Sequence, residues 1–93
     1  MKYAYALTNI DGSTDVWVNF PHRMLASAAG IDDYCHLGYS NDIANLLIID
    51  YDEENISDIG DAKVTRVIGM FGQKIKHNFE TLHDIGTIGT FYD

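Results

Sequence analysis

The sequence predicts an α+β fold, a two-layer sandwich. In it, a small antiparallel sheet, built from an N-terminal β-hairpin plus two further strands, packs against a long helix of the C-terminal half and one or two short helices. Three observations carry that expectation. Asp11-Gly12 sits between two alternating apolar segments, the mark of a tight hairpin turn. Leu46 to Ile49 is an unbroken apolar run suited to a buried strand. Val64, Ile68, Phe71, Ile75, Phe79 and Leu82 recur at spacings of 4, 3, 4, 4 and 3, which is the period of one helical face. The 93 residues suffice for one domain, 1–93, and leave no room for a two-lobed enzyme with a cleft between its lobes.

Taken in order, a type I′ turn at Asp11-Gly12 pairs Ile10 with Ser13. Tyr3, Tyr5 and Leu7 then oppose Phe20, Val18 and Val16 on one face, while Ala4, Ala6 and Thr8 oppose Asn19, Trp17 and Asp15 on the other. Pro21 ends the ribbon and suits the start of a helix, His22 to Ala29, with Gly30 as its stop. Asp32 to Leu37, closed by Gly38, adds another turn or two. Ala44 to Tyr51 is read as a strand: Ser40 or Asn41 would also cap a helix there, but the hairpin needs a sheet partner. An acidic loop runs from Asp52 to Gly60. The helix over 61–83 is opposed by Gly69 and Gly72, each costing about 1 kcal/mol relative to Ala. The competing reading is a strand at Lys63–Met70 and another at Lys74–Leu82, turning at Gly72-Gln73. Thr87 to Tyr92 closes the chain as a strand weakened by its glycines.

The net charge of −8 lies in the middle of the chain. Residues 1–31 are neutral, and residues 62–93 carry +1. Residues 32–61 hold nine carboxylates and no Lys or Arg. Such a block repels nucleic-acid phosphates and anionic membrane, so no direct nucleic acid and no membrane are expected as partners. It attracts a basic protein surface, and it also serves simple solubility. A lone Cys35 excludes an internal disulfide and points to a reducing, cytoplasmic setting. No apolar run approaches bilayer length, and no charged-then-apolar leader follows Met1.

Few patterns promise chemistry. Asp50, Asp52, Glu54, Asp58 and Asp61 fall at positions 1, 3, 5, 9 and 12 of a twelve-residue calcium loop. Asn55 stands where that loop needs glycine, Ser57 replaces its apolar residue, and Asp61 is shorter than the usual bidentate Glu. Six carboxylates in twelve residues also fit such a template by density alone. On a helix, His77, Glu80 or Thr81, and Asp84 would share one face with His83 nearby, and Cys35-His36 would add further metal donors, but no pair has metal-motif spacing. Cys35 beside His36 is no stronger as a nucleophile, since sequence neighbours rarely face each other. Gly86-Thr-Ile-Gly89 precedes a strand and not a helix, which argues against phosphate binding. No catalytic residue and no cofactor are assigned.

The functional expectation is therefore a non-enzymatic, acidic protein-interaction module. Its profile is shared by small phage and mobile-element inhibitors that block a nucleic-acid-binding machine in the host cytoplasm by presenting carboxylates where phosphates are expected. The contacts assigned to a basic surface of such a nucleic-acid-binding protein are Asp42, Asp50, Asp52, Glu53, Glu54, Asp58 and Asp61, with Tyr39 and Tyr51 as anchors. The alternative is a regulatory domain binding a cation or small ligand through the Asp50–Asp61 loop. A homodimer, which would supply the cleft a small enzyme lacks, is the remaining option.

Overall fold

The computed structural model describes residues 1–38, 42–69 and 78–92. Their order is β1 (Lys2–Asn9), β2 (Thr14–Phe20), α1 (Arg23–Gly38), β3 (Ile43–Asp52), a 3₁₀ turn (Ile59–Asp61), β4 (Lys63–Gly69), α2 (Leu82–Ile85) and β5 (Thr87–Phe91). The strands form one sheet in the order β4-β3-β1-β2-β5. Every pairing is antiparallel except β2 with β5, which is parallel.

This corrects the expected sandwich. The sheet has five strands and is mixed, and no long helix covers 61–83. The first part of that segment is β4, and α2 is a single turn. The apolar spacing is divided between the two faces of the sheet: Ile68 pairs with Ile48 of the α1 face, while Val64 and Val67 belong to the opposite cluster. Tyr51 pairs with Val64 but Asp50 pairs with Arg66, so Thr65 is an extra residue, a β-bulge. The bulge brings Val64 and Val67, three apart in sequence, into one buried cluster, as a helix would. Of the second strand of the competing reading, Lys74–Leu82, residues 74–77, Ile75 and His77 among them, lie outside the described residues, as does Phe71. Residues 78–82 form no strand, Thr81 making an isolated bridge to Lys63 and Leu82 opening α2.

A second bulge shapes the hairpin. Gly12, at φ +92°, donates its N–H to the Asn9 carbonyl, and Asn9 donates to Ser13, so the turn holds three residues and not two. The expected register survives only at Tyr3↔Phe20; beyond Asn19, at φ +77°, it shifts to Tyr5↔Trp17, Ala6↔Val16 and Leu7↔Asp15. Trp17 thereby joins Tyr5 and stacks on it at 4.8 Å with 10° between the planes.

Both faces of the sheet are covered. Tyr5, Leu7, Phe20, Leu46 and Ile48 pack beneath α1, against Ala26, Ala29 and Tyr34. Ala4, Ala6, Val16, Val18, Leu47, Ile49 and Tyr51 pack on the opposite face against Ile56, Ile59, Leu82 and Ile85. The chain therefore builds three layers, with β1 buried on both sides at Ala4, Tyr5, Ala6 and Leu7.

Gly30 does not stop a helix. It lies inside α1, which runs without a break from Arg23 to Gly38. A Cβ there would stand 3.0 Å from Leu46 Cδ1 and 3.0 Å from Tyr5 Cγ, both on buried side chains. The glycine is what allows the helix to sit this close to the sheet. Gly30→Ala should therefore forfeit the usual gain of about 1 kcal/mol in helix propensity and lower stability by about 1 kcal/mol through overpacking. A urea midpoint that rises in the variant would show that the helix can retreat freely.

Candidate functional site

The acidic segment after β3 is a covering element of the sheet. Ile56 and Ile59 pack onto the cluster around Tyr51 and Val64. Short local bonds hold the turn: Glu54 N–H donates to Asp52 Oδ1 at 3.0 Å, and Gly60 N–H donates to Asp58 Oδ1 at 3.0 Å. Asn55 sits at φ +60°, a conformation Asn tolerates better than most residues. Glu53, Glu54, Asp58 and Asp61 remain exposed, with Asp52 half-buried beside them.

The nine carboxylates of 32–61 do not form one face. Asp32 and Asp33 belong to α1, on the opposite side of the sheet from the 53–61 cover. Asp42 is exposed just before β3, and its carbonyl accepts the Ile10 N–H at 3.0 Å. It stands at the far end of that ten-residue strand from Asp52, about 30 Å away. Tyr39 lies outside the described residues. Asp52, Glu53, Glu54, Asp58 and Asp61 lie along the one segment whose Ile56 and Ile59 cover the face opposite α1.

Two expected contacts are interior. Asp50 is 4% exposed, and Arg23 of α1 grips it side-on, Nε to Oδ1 at 3.1 Å and Nη2 to Oδ2 at 2.5 Å. Tyr51 is fully buried; its hydroxyl accepts the Asn19 N–H at 3.0 Å, and burial pushes its phenol up to about 12. A calcium loop from Asp50 to Asp61 is likewise not assembled. Asp50 turns toward α1 while Asp58 and Asp61 lie with the cover of the other face, and among the described residues no three His, Cys, Asp or Glu converge as metal ligands. Cys35 is an exposed thiol on α1, and His36 Nδ1 lies 2.8 Å from the Asp32 carbonyl.

A groove of about 640 Å³ separates the acidic cover from β5. Asp58, Ile59 and His83 line one side, and Thr87, Ile88 and Phe91 the other. His83 Nε2 lies 3.3 Å from Asp58 Oδ2 across half-exposed side chains. Gly60 makes room for that ring, since a Cβ there would stand 2.1 Å from His83 Nε2. Asp84 accepts the N–H groups of Glu80 and Thr81 at 2.9 and 3.0 Å, which fixes the start of α2 and so the position of His83. The sequence reading takes Thr87 to Tyr92 as a closing strand and assigns Phe91 no contact. The signal was present as a chargeless stretch, Gly86 to Tyr92, in a strongly acidic chain.

Two outcomes follow for this region. Arg23→Met should cost about 2–4 kcal/mol, somewhat below the range for a fully buried pair, because it strands the Asp50 carboxylate in the core while Arg23 itself is 43% exposed. Asp50→Asn should cost less, about 1–2 kcal/mol, because the freed guanidinium can turn to solvent. Urea denaturation of both and of the double variant measures the coupling. The Gly60 N–H and then His83 hold the Asp58 carboxyl below its ordinary value of 3.8. A carboxyl so lowered contributes stability above pH 3.8 that is lost as pH falls through its folded-state value. Asp58→Asn should therefore flatten the acid limb of the stability–pH profile, and an unchanged slope below pH 4 would contradict the Asp58 arrangement. Comparison with protein-family models, curated proteins and solved structures found no match to this chain.

Proposed function

We propose that the protein is a non-enzymatic interaction module whose acidic cover, Asp52, Glu53, Glu54, Asp58 and Asp61, engages a basic surface of a partner protein. One observation carries this reading. The segment is fixed to the core through Ile56 and Ile59, yet among the described residues no Lys or Arg pairs with any carboxylate of it. The one ion pair with Lys or Arg there is Arg23 with Asp50, on the other face. A row of carboxylates held on the core, with Lys63 across the ladder from Asp52 as the nearby cation, is the physical counterpart of a basic groove that otherwise holds phosphates, so the partner class is a nucleic-acid-binding protein and the action is occlusion of its groove. Charge of this kind contributes to encounter rate and choice of partner more than to raw affinity.

The test is a pull-down from the lysate of the native or host cell at about 0.1 M and about 0.5 M salt, where the screening length falls from about 10 Å to about 4 Å. The bait variant is Asp52→Lys/Glu53→Lys/Glu54→Lys. Asp50 is left intact because its loss would disturb the core. A basic nucleic-acid-handling protein should be recovered by the native chain at low salt and lost both at high salt and with the variant. Equal recovery by the variant would overturn the reading.

A further inference from the structure

β5 is the edge of the sheet beyond β2, and among the described residues no strand pairs with its outer side. Tyr92 donates its N–H to the Val18 carbonyl at 2.9 Å and accepts Asn19 Nδ2 at 3.1 Å, so both of its backbone groups face inward toward β2. Alternation along the strand turns the N–H and carbonyl of Phe91 to the outer edge. Natural sheets guard such an edge with charge, proline or cover. Here the segment Gly86 to Tyr92 contains no charged residue and no proline, and Phe91 is 53% exposed. The groove runs beside this edge, apolar at Ile59, Ile88 and Phe91 and carboxylate-bearing at Asp58.

We propose that an extended, basic segment of a partner protein adds to β5 as a sixth strand. Its backbone pairs with the outer edge, alternate apolar side chains cover Ile88 and Phe91, and a Lys or Arg lies beside Asp58. This rests on the acidic reading above and names the element by which the partner docks. Charge selects the occupant. A second copy of this chain would bring another net charge of −8 against the first, and its own β5 carries no cation to place beside Asp58. A basic strand gains on both counts.

The experiment selects random octapeptides, displayed on phage, against the full chain at about 0.1 M salt, then measures synthetic versions by fluorescence anisotropy. The expected peptides alternate β-branched or aromatic residues and carry Lys or Arg. Phe91→Lys, which charges the edge, should weaken them about tenfold or more, and Glu53→Lys/Glu54→Lys several-fold. Thr87→Lys is the second edge variant, and circular-dichroism melting confirms that each variant folds. An absence of enriched peptides, or peptides that bind both edge variants as tightly as the native chain, would overturn the proposal while leaving the acidic reading standing on its own pull-down. Edge-dependent peptides that lack basic residues and ignore Glu53→Lys/Glu54→Lys would refute the basic occupant and weaken the acidic reading with it. A dimer in sedimentation equilibrium that Phe91→Lys dissociates would make the occupant a second copy.

Discussion

Burial of β1 on both faces is the constraint on which the rest of this structure depends. Ala4 and Ala6 point to one side, Tyr5 and Leu7 to the other, and all four are at most 3% exposed. A central strand in this position needs two covering layers, and a chain of 93 residues has little to spare for them. One layer is α1, brought close by Ala26, Ala29 and Gly30. The other is assembled from pieces: Ile56, the 3₁₀ turn and the single turn of α2. The alternation of small and large residues on β1 matches this division, since the pieced layer meets alanines and the helix meets the tyrosine ring and the leucine.

The same constraint explains why the acidic segment holds a shape. A stretch with this many carboxylates would ordinarily be a solvated loop, because self-repulsion and chain entropy both oppose order. Here the segment must cover Tyr51 and Val64, and its isoleucines turn inward. Aspartates then serve as turn formers, with Asp52 and Asp58 each accepting a backbone N–H two residues ahead. Each carboxylate so used keeps an outward face. Order and exposed negative charge thus come from the same residues, and the repulsion among them is offset by burial of the isoleucines between them.

Much of this was legible in the residues, and the failures have physical causes. The hairpin, the strand around Leu46–Ile49 and the closing strand follow from turn chemistry and apolar runs, which are local signals. The apolar spacing over 61–83 suggests a helix, but its first members divide between the faces, Val64 to one and Ile68 to the other, because a bulge at Thr65 shifts the alternation and composition does not mark it. Gly30 was misread as a stop because sequence cannot show that Tyr5 and Leu46 would press on its Cβ. Of the expected contacts, Glu53, Glu54, Asp58 and Asp61 are exposed on the segment after β3. Asp50 and Tyr51 are interior because period-2 alternation at the end of β3 sends one to Arg23 and the other into the opposite core. Charge adjacent in sequence is divided between two faces by that alternation.

The place of the groove follows from the same economy of cover. The pieced layer closes over β3 and β1, and α2 also touches β2 and β5, where Ile88 packs against the cluster while Phe91 stays 53% exposed. Gly86 must pass so close to Thr14 that a Cβ would stand 2.2 Å from its carbonyl, which pins the chain as it leaves α2 for the outer strand. β5 then runs parallel to β2, with no strand on its far side among the described residues and with Ile88 and Phe91 lining the groove alongside Asp58 and His83. In the proposed docking, a last strand that is open among the described residues, next to the acidic segment, joins two recognition modes in one place. Backbone pairing supplies affinity with little regard to sequence, and the carboxylates restrict which strands can approach. Neither would suffice alone, because an open neutral edge pairs indiscriminately and an acidic loop attracts any cation. In the proposed docking, their adjacency is what would make this edge selective.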